Sequence, residues 1–232
     1  MNMKNSQIRA YARHLLDDNI FGKDWLKGVF VFLLMNVTAY LLGWALEMLL
    51  ELAILGGALL GIVTNSIPVI LFLLIWLVYI AMIIGTGLFA PINVGVASVY
   101  TDLVRNGEKI KIRNFFCGFK NFFSNVILGV MYSLIIGLWS MFFIVPGVYV
   151  AYSYALVFHV KKDHPEYRWK QCFDESERLM EGNRWKLFKL QISHLGWFIL
   201  GFAFLFIGVL WAYPYLETSM AIFYEEVRTE RQ

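Results

Sequence analysis

The chain has 232 residues, of which 59% are hydrophobic and 17% aromatic, and its mean hydropathy is +0.61. Soluble domains contain roughly 45–50% apolar residues, so this composition excludes a single water-soluble core. The net charge of +3 gives little reason to expect a nucleic-acid partner. We predict an all-α integral membrane protein with about six transmembrane helices in three helical hairpins, plus short amphipathic cytoplasmic helices.

Residues 1–28 form the first segment. Their apolar residues are scattered among charged ones and form no continuous hydrophobic region, which argues against a cleavable signal peptide. Apolar side chains recur there at helical spacing, at Ile8, Tyr11, Ala12, Leu15 and Leu16. This pattern predicts an amphipathic helix. It fits equally a helix lying on the cytoplasmic leaflet and one packed beneath the transmembrane bundle.

The positive charges predict the topology. All 20 lysines and arginines lie in four clusters, at 4–27, 105–120, 161–189 and 228–231. Basic residues near the ends of membrane spans mark the cytoplasmic side, so each stretch between clusters needs an even number of crossings. We therefore expect a bacterial inner-membrane protein with both termini in the cytoplasm.

Three hairpins satisfy this rule within a single transmembrane bundle, residues 29–227. They are expected at about 29–104, 122–160 and 187–227, with cytoplasmic loops at about 105–121 and 161–186 and a cytoplasmic tail at 228–232. The second hairpin is short for two crossings, and a re-entrant segment is the alternative there.

Glycine and proline residues suggest where the three outer turns lie. The first turn is expected around Gly56, Gly57, Gly61 and residues 65–68, the second at Pro146-Gly147, and the third near Tyr213-Pro214.

An internal repeat supports this division. Pro91, Pro146 and Pro214 are each followed 14 or 15 residues later by a basic residue, namely Arg105, Lys161 and Arg228. Proline is favoured in the first turn of a helix, so each one is predicted to open the final helix of its hairpin. Coincidental spacing of membrane prolines is the alternative.

A short cytoplasmic helix is predicted in the third basic cluster. Trp169, Phe173, Ser176 and Met180 form an apolar stripe between Pro165 and the stop signal Gly182-Asn183. The charged face of this helix reads as a solvated surface.

Three carboxylates lie inside stretches without lysine or arginine: Glu47, Glu51 and Glu217. Glu47 and Glu51 share one helix face, and all three are expected near the outer leaflet. They are either hydrated at the outer boundary or form a site for a cation, a proton or a basic ligand group.

Asn36, Asn93 and His194 are polar side chains predicted within the spans. They either join helices by hydrogen bonds or line a hydrated pocket, and His194 fits an interhelical hydrogen bond better than a catalytic base. No nucleophile can be paired with a base, and no catalytic, cofactor or metal motif is present. Cys117 and Cys172 are expected to be free cytoplasmic thiols. The sequence favours a non-enzymatic role without deciding the question.

The run from Asp174 to Trp197 resembles a bacterial membrane family catalogued as "domain of unknown function 975". The segments Ile144–Gly147, with Trp139, and Pro214–Tyr224 carry the same resemblance. Members of that family are small multi-span proteins without an assigned activity. The resemblance therefore implies a topology and no chemistry.

Two functions fit these observations. The first is a binding or transport bundle for a lipid, a peptide or a small solute, suggested by the polar residues in the spans. The second is a structural or regulatory subunit that packs against another membrane protein. Expected partners are membrane lipids and either a membrane protein or a second copy of the chain, with no cofactor and no nucleic acid.

Overall fold

The computed structural model describes residues 3–17, 21–64, 67–107, 109–142, 144–203 and 207–231. All regular elements in this part of the chain are helices, and it contains no strand. The α-helices are α1 (Asn5–Leu15), α2 (Lys23–Thr64), α3 (Ile67–Leu88), α4 (Ala90–Asn106), α5 (Phe122–Phe142), α6 (Ile144–Ser153), α7 (Val157–Asp163), α8 (Trp169–Met180), α9 (Arg184–Ala203) and α10 (Ile207–Glu230). A 3-10 helix, Ile112–Phe119, lies between α4 and α5.

Helix α1 packs against α9 and α10. The side chains of Ile8, Ala12 and Leu16 are fully buried, and Asn5 Nδ2 donates a hydrogen bond to the carbonyl oxygen of Lys186 at 3.2 Å. Because the apolar face is covered by protein, α1 is the packed helix of the two alternatives rather than one lying freely on a leaflet.

Helices α2 and α3 run antiparallel. Gly57 lies against Leu74, and Gly85 lies against Leu46. At 1.5 Å per residue the 42 residues of α2 extend about 63 Å. The prediction of an outer loop at Gly56, Gly57 and Gly61 is wrong, because α2 continues through all three. The lack of a side chain at Gly57 lets α2 and α3 approach closely. Asn65 and Ser66, the rest of that predicted turn, lie outside the described residues.

Two of the three repeat prolines lie in the first turn of a helix, although α6, which contains Pro146, ends at Ser153 and does not continue to Lys161. Pro91 is in the first turn of α4, and Pro146 is the third residue of α6. Pro214 instead lies inside α10, as the eighth residue of that helix. The predicted turn at Tyr213-Pro214 is therefore wrong: α9 ends at Ala203 and α10 begins at Ile207.

Helix α4 lies at the centre of the packing, against α7, α10 and the 3-10 helix. A Cβ added at Gly95 would be 2.0 Å from the carbonyl oxygen of Phe115, and one added at Gly118 would be 1.9 Å from that of Pro91. Glycine at both positions thus lets two backbones touch. The largest fully buried side chains include Tyr100 of α4 and Tyr224 of α10.

Three helices in the described residues are long and apolar enough to cross a membrane, by length and composition alone. They cover Lys23–Gly57, Gly85–Asn106 and Phe122–Ser140. Many large apolar side chains of α2 and α3 are exposed, among them Tyr40, Leu49, Leu52 and Ile75. Such surfaces are compatible with a membrane protein, since lipid can cover them.

Candidate functional site: a basic cavity beside α5

A cavity of about 280 Å³ lies where α4, the 3-10 helix, the first turn of α5 and the end of α7 meet. Its polar wall contains three lysines, two asparagines, a serine and a thiol: Lys120, Lys161, Lys162, Asn121, Asn125, Ser98 and Cys117. Val94 and Pro165 add apolar surface. No lining residue is acidic, so the cavity carries a concentrated positive charge.

Lys161 is the most buried of the three lysines, with 2% of its surface exposed. Its ammonium group donates hydrogen bonds to Ser124 Oγ at 2.8 Å, to the Pro165 carbonyl oxygen at 2.9 Å and to the Tyr167 carbonyl oxygen at 2.6 Å. All three acceptors are neutral. Among the described residues no carboxylate forms an ion pair with Lys161, and burial lowers its pKa.

Lys162 forms ion pairs with two carboxylates of the protein, those of Asp102 and Asp163. Its Nζ atom lies 2.6 Å from Asp102 Oδ1 and 3.4 Å from Asp163 Oδ1. Asp102 also accepts a hydrogen bond from Asn114 Nδ2 at 2.8 Å and lines a second cavity of about 460 Å³. Asp102 therefore neutralises one lysine of the basic cavity from outside it.

An ion-pair cluster joins the ends of α4, α7 and α10. The Asp163 carboxylate binds Arg105 at 2.8 Å and Arg228 at 3.2 Å, and it accepts a hydrogen bond from Tyr224 at 2.8 Å. Arg105 also binds Glu225. Burial alone would raise the pKa of Asp163, but the bonds from Arg105 and Tyr224 and the nearby Lys162 charge outweigh it, and the pKa is about 2. This carboxylate is therefore ionised at neutral pH.

The predicted carboxylate site is divided between two places. Glu47 and Glu51 are exposed on α2. Glu217 is half-buried on α10, where it interacts with Tyr213 and lies near Tyr100, whose hydroxyl is 3.4 Å from the Gly28 carbonyl oxygen. Glu47 follows Gly28 by about 28 Å along α2. The structure therefore does not bring the three together.

The level of Glu47 also follows from glycine contacts. Its neighbour Leu46 packs on Gly85, and Gly87, two residues along α3, packs on Val126 and Val130 of α5. Because α5 begins at Phe122, Glu47 is level with roughly the first third of α5 rather than with its far end.

His194 joins two helices. This buried side chain has Nε2 3.1 Å from Ser219 Oγ of α10 and Nδ1 2.8 Å from the Leu190 carbonyl oxygen. Asn36 is exposed and bonds back to the Phe32 carbonyl oxygen, while Asn93 is half-buried on α4. None of these three predicted intramembrane polar residues lines the basic cavity.

Within the described ranges no group of three or more His, Cys, Asp or Glu side chains could hold a metal ion. Cys117 and Cys172 are free thiols in the structure. The arrangement around the cavity offers positive charge and hydrogen-bond donors, which suit the binding of an anion.

Sequence reasoning missed the cavity because its lysines were interpreted as markers of topology. Lys161 was one of the three basic residues of the repeat, and this was the only signal in the sequence that singled it out. Lys120 and Lys162 belong to two different basic clusters, and only the fold brings them together.

Residues 143–231 match the family model "Protein of unknown function (DUF975)". The match confirms the predicted resemblance over the C-terminal part of the chain. No curated protein and no solved structure matches the chain. The family has no assigned activity, so a function can be inferred only from the geometry of the site.

Proposed function

We propose that the protein is a non-enzymatic, multi-pass membrane protein that binds an anionic ligand in the basic cavity beside α5. In this proposal the chain crosses the inner membrane six times as three hairpins, with both termini in the cytoplasm. The cavity then lies at the cytoplasmic boundary of the membrane.

The buried charge of Lys161 is the observation that carries the proposal. Removing an ammonium group from water is costly unless a counter-charge or several hydrogen bonds compensate. Lys161 has hydrogen bonds to neutral acceptors only, and Lys120 beside it lines the same cavity. An anion in the cavity would supply the missing counter-charge to both lysines.

The proposal is tested by anion-dependent stability. The purified protein is melted in a titration of inorganic phosphate, with chloride at matched ionic strength as the reference. A ligand that binds only the folded state stabilises it. We expect phosphate to raise the melting temperature of the wild type and to lose this effect in Lys120→Met. Lys170→Met, on the exposed part of α8 and outside the cavity, is the matched control. An equal response of all three proteins would contradict the proposal.

The topology is tested separately, by cysteine labelling of intact cells with an impermeant maleimide. We expect a cysteine placed at position 65 to react from outside, and Cys117 to react only after the membrane is permeabilised. Labelling of Cys117 in intact cells would overturn the proposed orientation without bearing on the cavity.

A second candidate function is that of a subunit that docks on another membrane protein. Glu47 and Glu51 favour it, because both are exposed on α2, which in this proposal spans the membrane. A carboxylate facing lipid is costly, and within the described residues no cation pairs with either one. The chain has no lysine or arginine between Gly28 and Val104. A partner helix carrying a lysine or arginine would therefore suit this face.

A synthetic poly-leucine transmembrane peptide with one central lysine tests this second function. In liposomes, its energy transfer to the labelled protein should be strong for the wild type and weak for the Glu47→Gln, Glu51→Gln double variant. A peptide without lysine serves as control. Equal transfer from both peptides would exclude charge-directed docking.

A further inference from the structure

We infer that the anion bound in the basic cavity is the phosphate of an anionic membrane lipid, whose acyl chains lie along the exposed face of α5. The inference rests on the proposed function and names the ligand of the same site. It follows from what surrounds the cavity, on the membrane side as well as inside it.

Two exposed aromatic side chains lie close in sequence to residues that line the cavity. Phe116, next to the lining residue Cys117, is 54% exposed, and Phe123, two residues after the lining residue Asn121, is 81% exposed. Exposed aromatic rings beside lysine are typical of the boundary between hydrocarbon and headgroups. The phosphate of a lipid lies at this depth, whereas a soluble anion is not confined to it.

An apolar path leads from Lys120, at the rim of the cavity, along the outer side of α5. Phe123 and Ile127 are separated by four residues, so they share one face of the helix, and both are exposed. Lys120, which lines the cavity and has helical backbone angles, precedes Phe123 by three residues and so projects to the same side, whereas Asn121 and Asn125 face the cavity. A lipid with its phosphate at Lys120 would place its chains on this face. The beginning of α5 at Phe122 adds the positive end of a helix dipole next to the phosphate.

The lysines without a carboxylate partner offer more than enough positive charge for a lipid phosphate. A phosphodiester carries one negative charge, and Lys120 and Lys161 have no carboxylate partner among the described residues. Lys162 is already paired with Asp102. A zwitterionic lipid would bring an ammonium group of its own toward this positive cavity, so anionic lipids should be preferred over phosphatidylcholine.

Cys117 provides a native reporter, because it lines the cavity and is half-buried. The second thiol, Cys172, is fully buried, and burial raises its pKa to about 11. Since the thiolate is the reactive form, a maleimide should modify Cys117 and leave Cys172 untouched at neutral pH. The rate at which Cys117 is modified therefore reports whether the cavity is occupied.

The experiment measures this rate for the protein in nanodiscs of phosphatidylcholine alone, and in nanodiscs containing about one-third phosphatidylglycerol or phosphatidic acid. A further arm adds glycerol phosphate to the phosphatidylcholine discs. We expect anionic lipid to slow modification of Cys117 at least fivefold, and glycerol phosphate to have little effect. Lys120→Met should lose the protection, whereas Lys170→Met should keep it. Lys161→Met is a second cavity variant.

The outcomes separate the two proposals. Protection by glycerol phosphate but not by anionic lipid would overturn the lipid inference and leave the anion-binding function intact. No protection in any arm, together with no phosphate-dependent stabilisation, would overturn both. Protection by anionic lipid that persists in both Lys120→Met and Lys161→Met would show that lipid covers Cys117 without using the cavity, and would also overturn the inference.

Discussion

Arg105 of α4 and Asp163 of α7 are 58 residues apart in sequence, and their side chains meet at 2.8 Å. Arg228 of α10 binds the same carboxylate at 3.2 Å. Arg105 and Arg228 are the basic residues that follow Pro91 and Pro214 in the sequence repeat. The C-terminal ends of α4, α7 and α10 thus meet at one carboxylate.

Asp163→Asn should destabilise the protein by about 2 kcal/mol, because it removes the charged hydrogen bonds that Arg105 and Arg228 make to this carboxylate. Chemical unfolding in detergent measures the effect. Glu175→Gln is the control, since the exposed Glu175–Arg178 pair of α8 should contribute about 0–1 kcal/mol. Equal losses for both variants would show that the cluster has no special role.

The same carboxylate predicts an acid dependence. Its pKa is about 2 in the folded protein and 3.8 in the reference state, so folding favours the ionised form. The resulting stability is fully present above about pH 4 and is lost as the pH falls toward 2. Thermal melts between these limits should show a steeper loss for the wild type than for Asp163→Asn. Parallel curves would contradict the assignment.

Gly95→Ala should be poorly tolerated, because its Cβ would lie 2.0 Å from the Phe115 carbonyl oxygen. Moving the 3-10 helix away from α4 should cost at least 1–3 kcal/mol, as overpacking does in other cores. Gly137→Ala in α5 has nothing within 4 Å of the new Cβ and should be neutral or stabilising by up to about 1 kcal/mol. Melting temperatures of the two variants decide the matter; a neutral Gly95→Ala would mean that the two backbones can separate freely.

Asp102→Asn should tighten the binding of anionic lipid. Asp102 holds Lys162 at 2.6 Å, and losing its charge leaves one more uncompensated lysine in the cavity. At about 1 kcal/mol per basic residue, the affinity should rise roughly fivefold. Protection of Cys117 at limiting phosphatidylglycerol measures this change. Asp174→Asn, exposed on α8, should have no effect. Weaker binding by Asp102→Asn would indicate that Asp102 positions Lys162 for the ligand.

Local signals in the sequence predicted several elements correctly. Helix α8 covers Trp169–Met180, the span of the predicted apolar stripe, and Pro91 lies in the first turn of its helix. Both features depend on residues close together in sequence, where helical periodicity and the missing proline N–H act directly.

Turns within apolar stretches were predicted less well. Glycines at 56, 57 and 61 lie in a continuous helix, and Gly57 packs against Leu74 of α3. At the junction of α9 and α10 the sequence is Phe-Leu-Phe at positions 204–206, which contains no turn residue. The turn was predicted at Pro214 instead, although Gly201 and Gly208 lie closer to the junction.

The basic cavity could not be predicted, because its walls come from segments around residues 94–98, 117–125 and 161–165. Nothing local marks these segments as neighbours. The carboxylates Glu47, Glu51 and Glu217 were grouped on the assumption that α10 begins at Pro214. Once α10 begins at Ile207, Glu217 moves toward Gly28 at the other end of α2.

Pro214 also has a mechanical consequence. A proline inside a helix cannot donate a hydrogen bond to the carbonyl four residues earlier, so α10 has its lowest bending stiffness near Leu210. Gly28 sits against the proline ring, where any larger side chain would be within 2.6 Å of Pro214 Cβ. The contact therefore supports α10 at the point where the helix would bend. A sideways load on the first two turns of α10 would deflect them about this point, while the segment from Thr218 onward, anchored by its buried side chains, stays in register with α4.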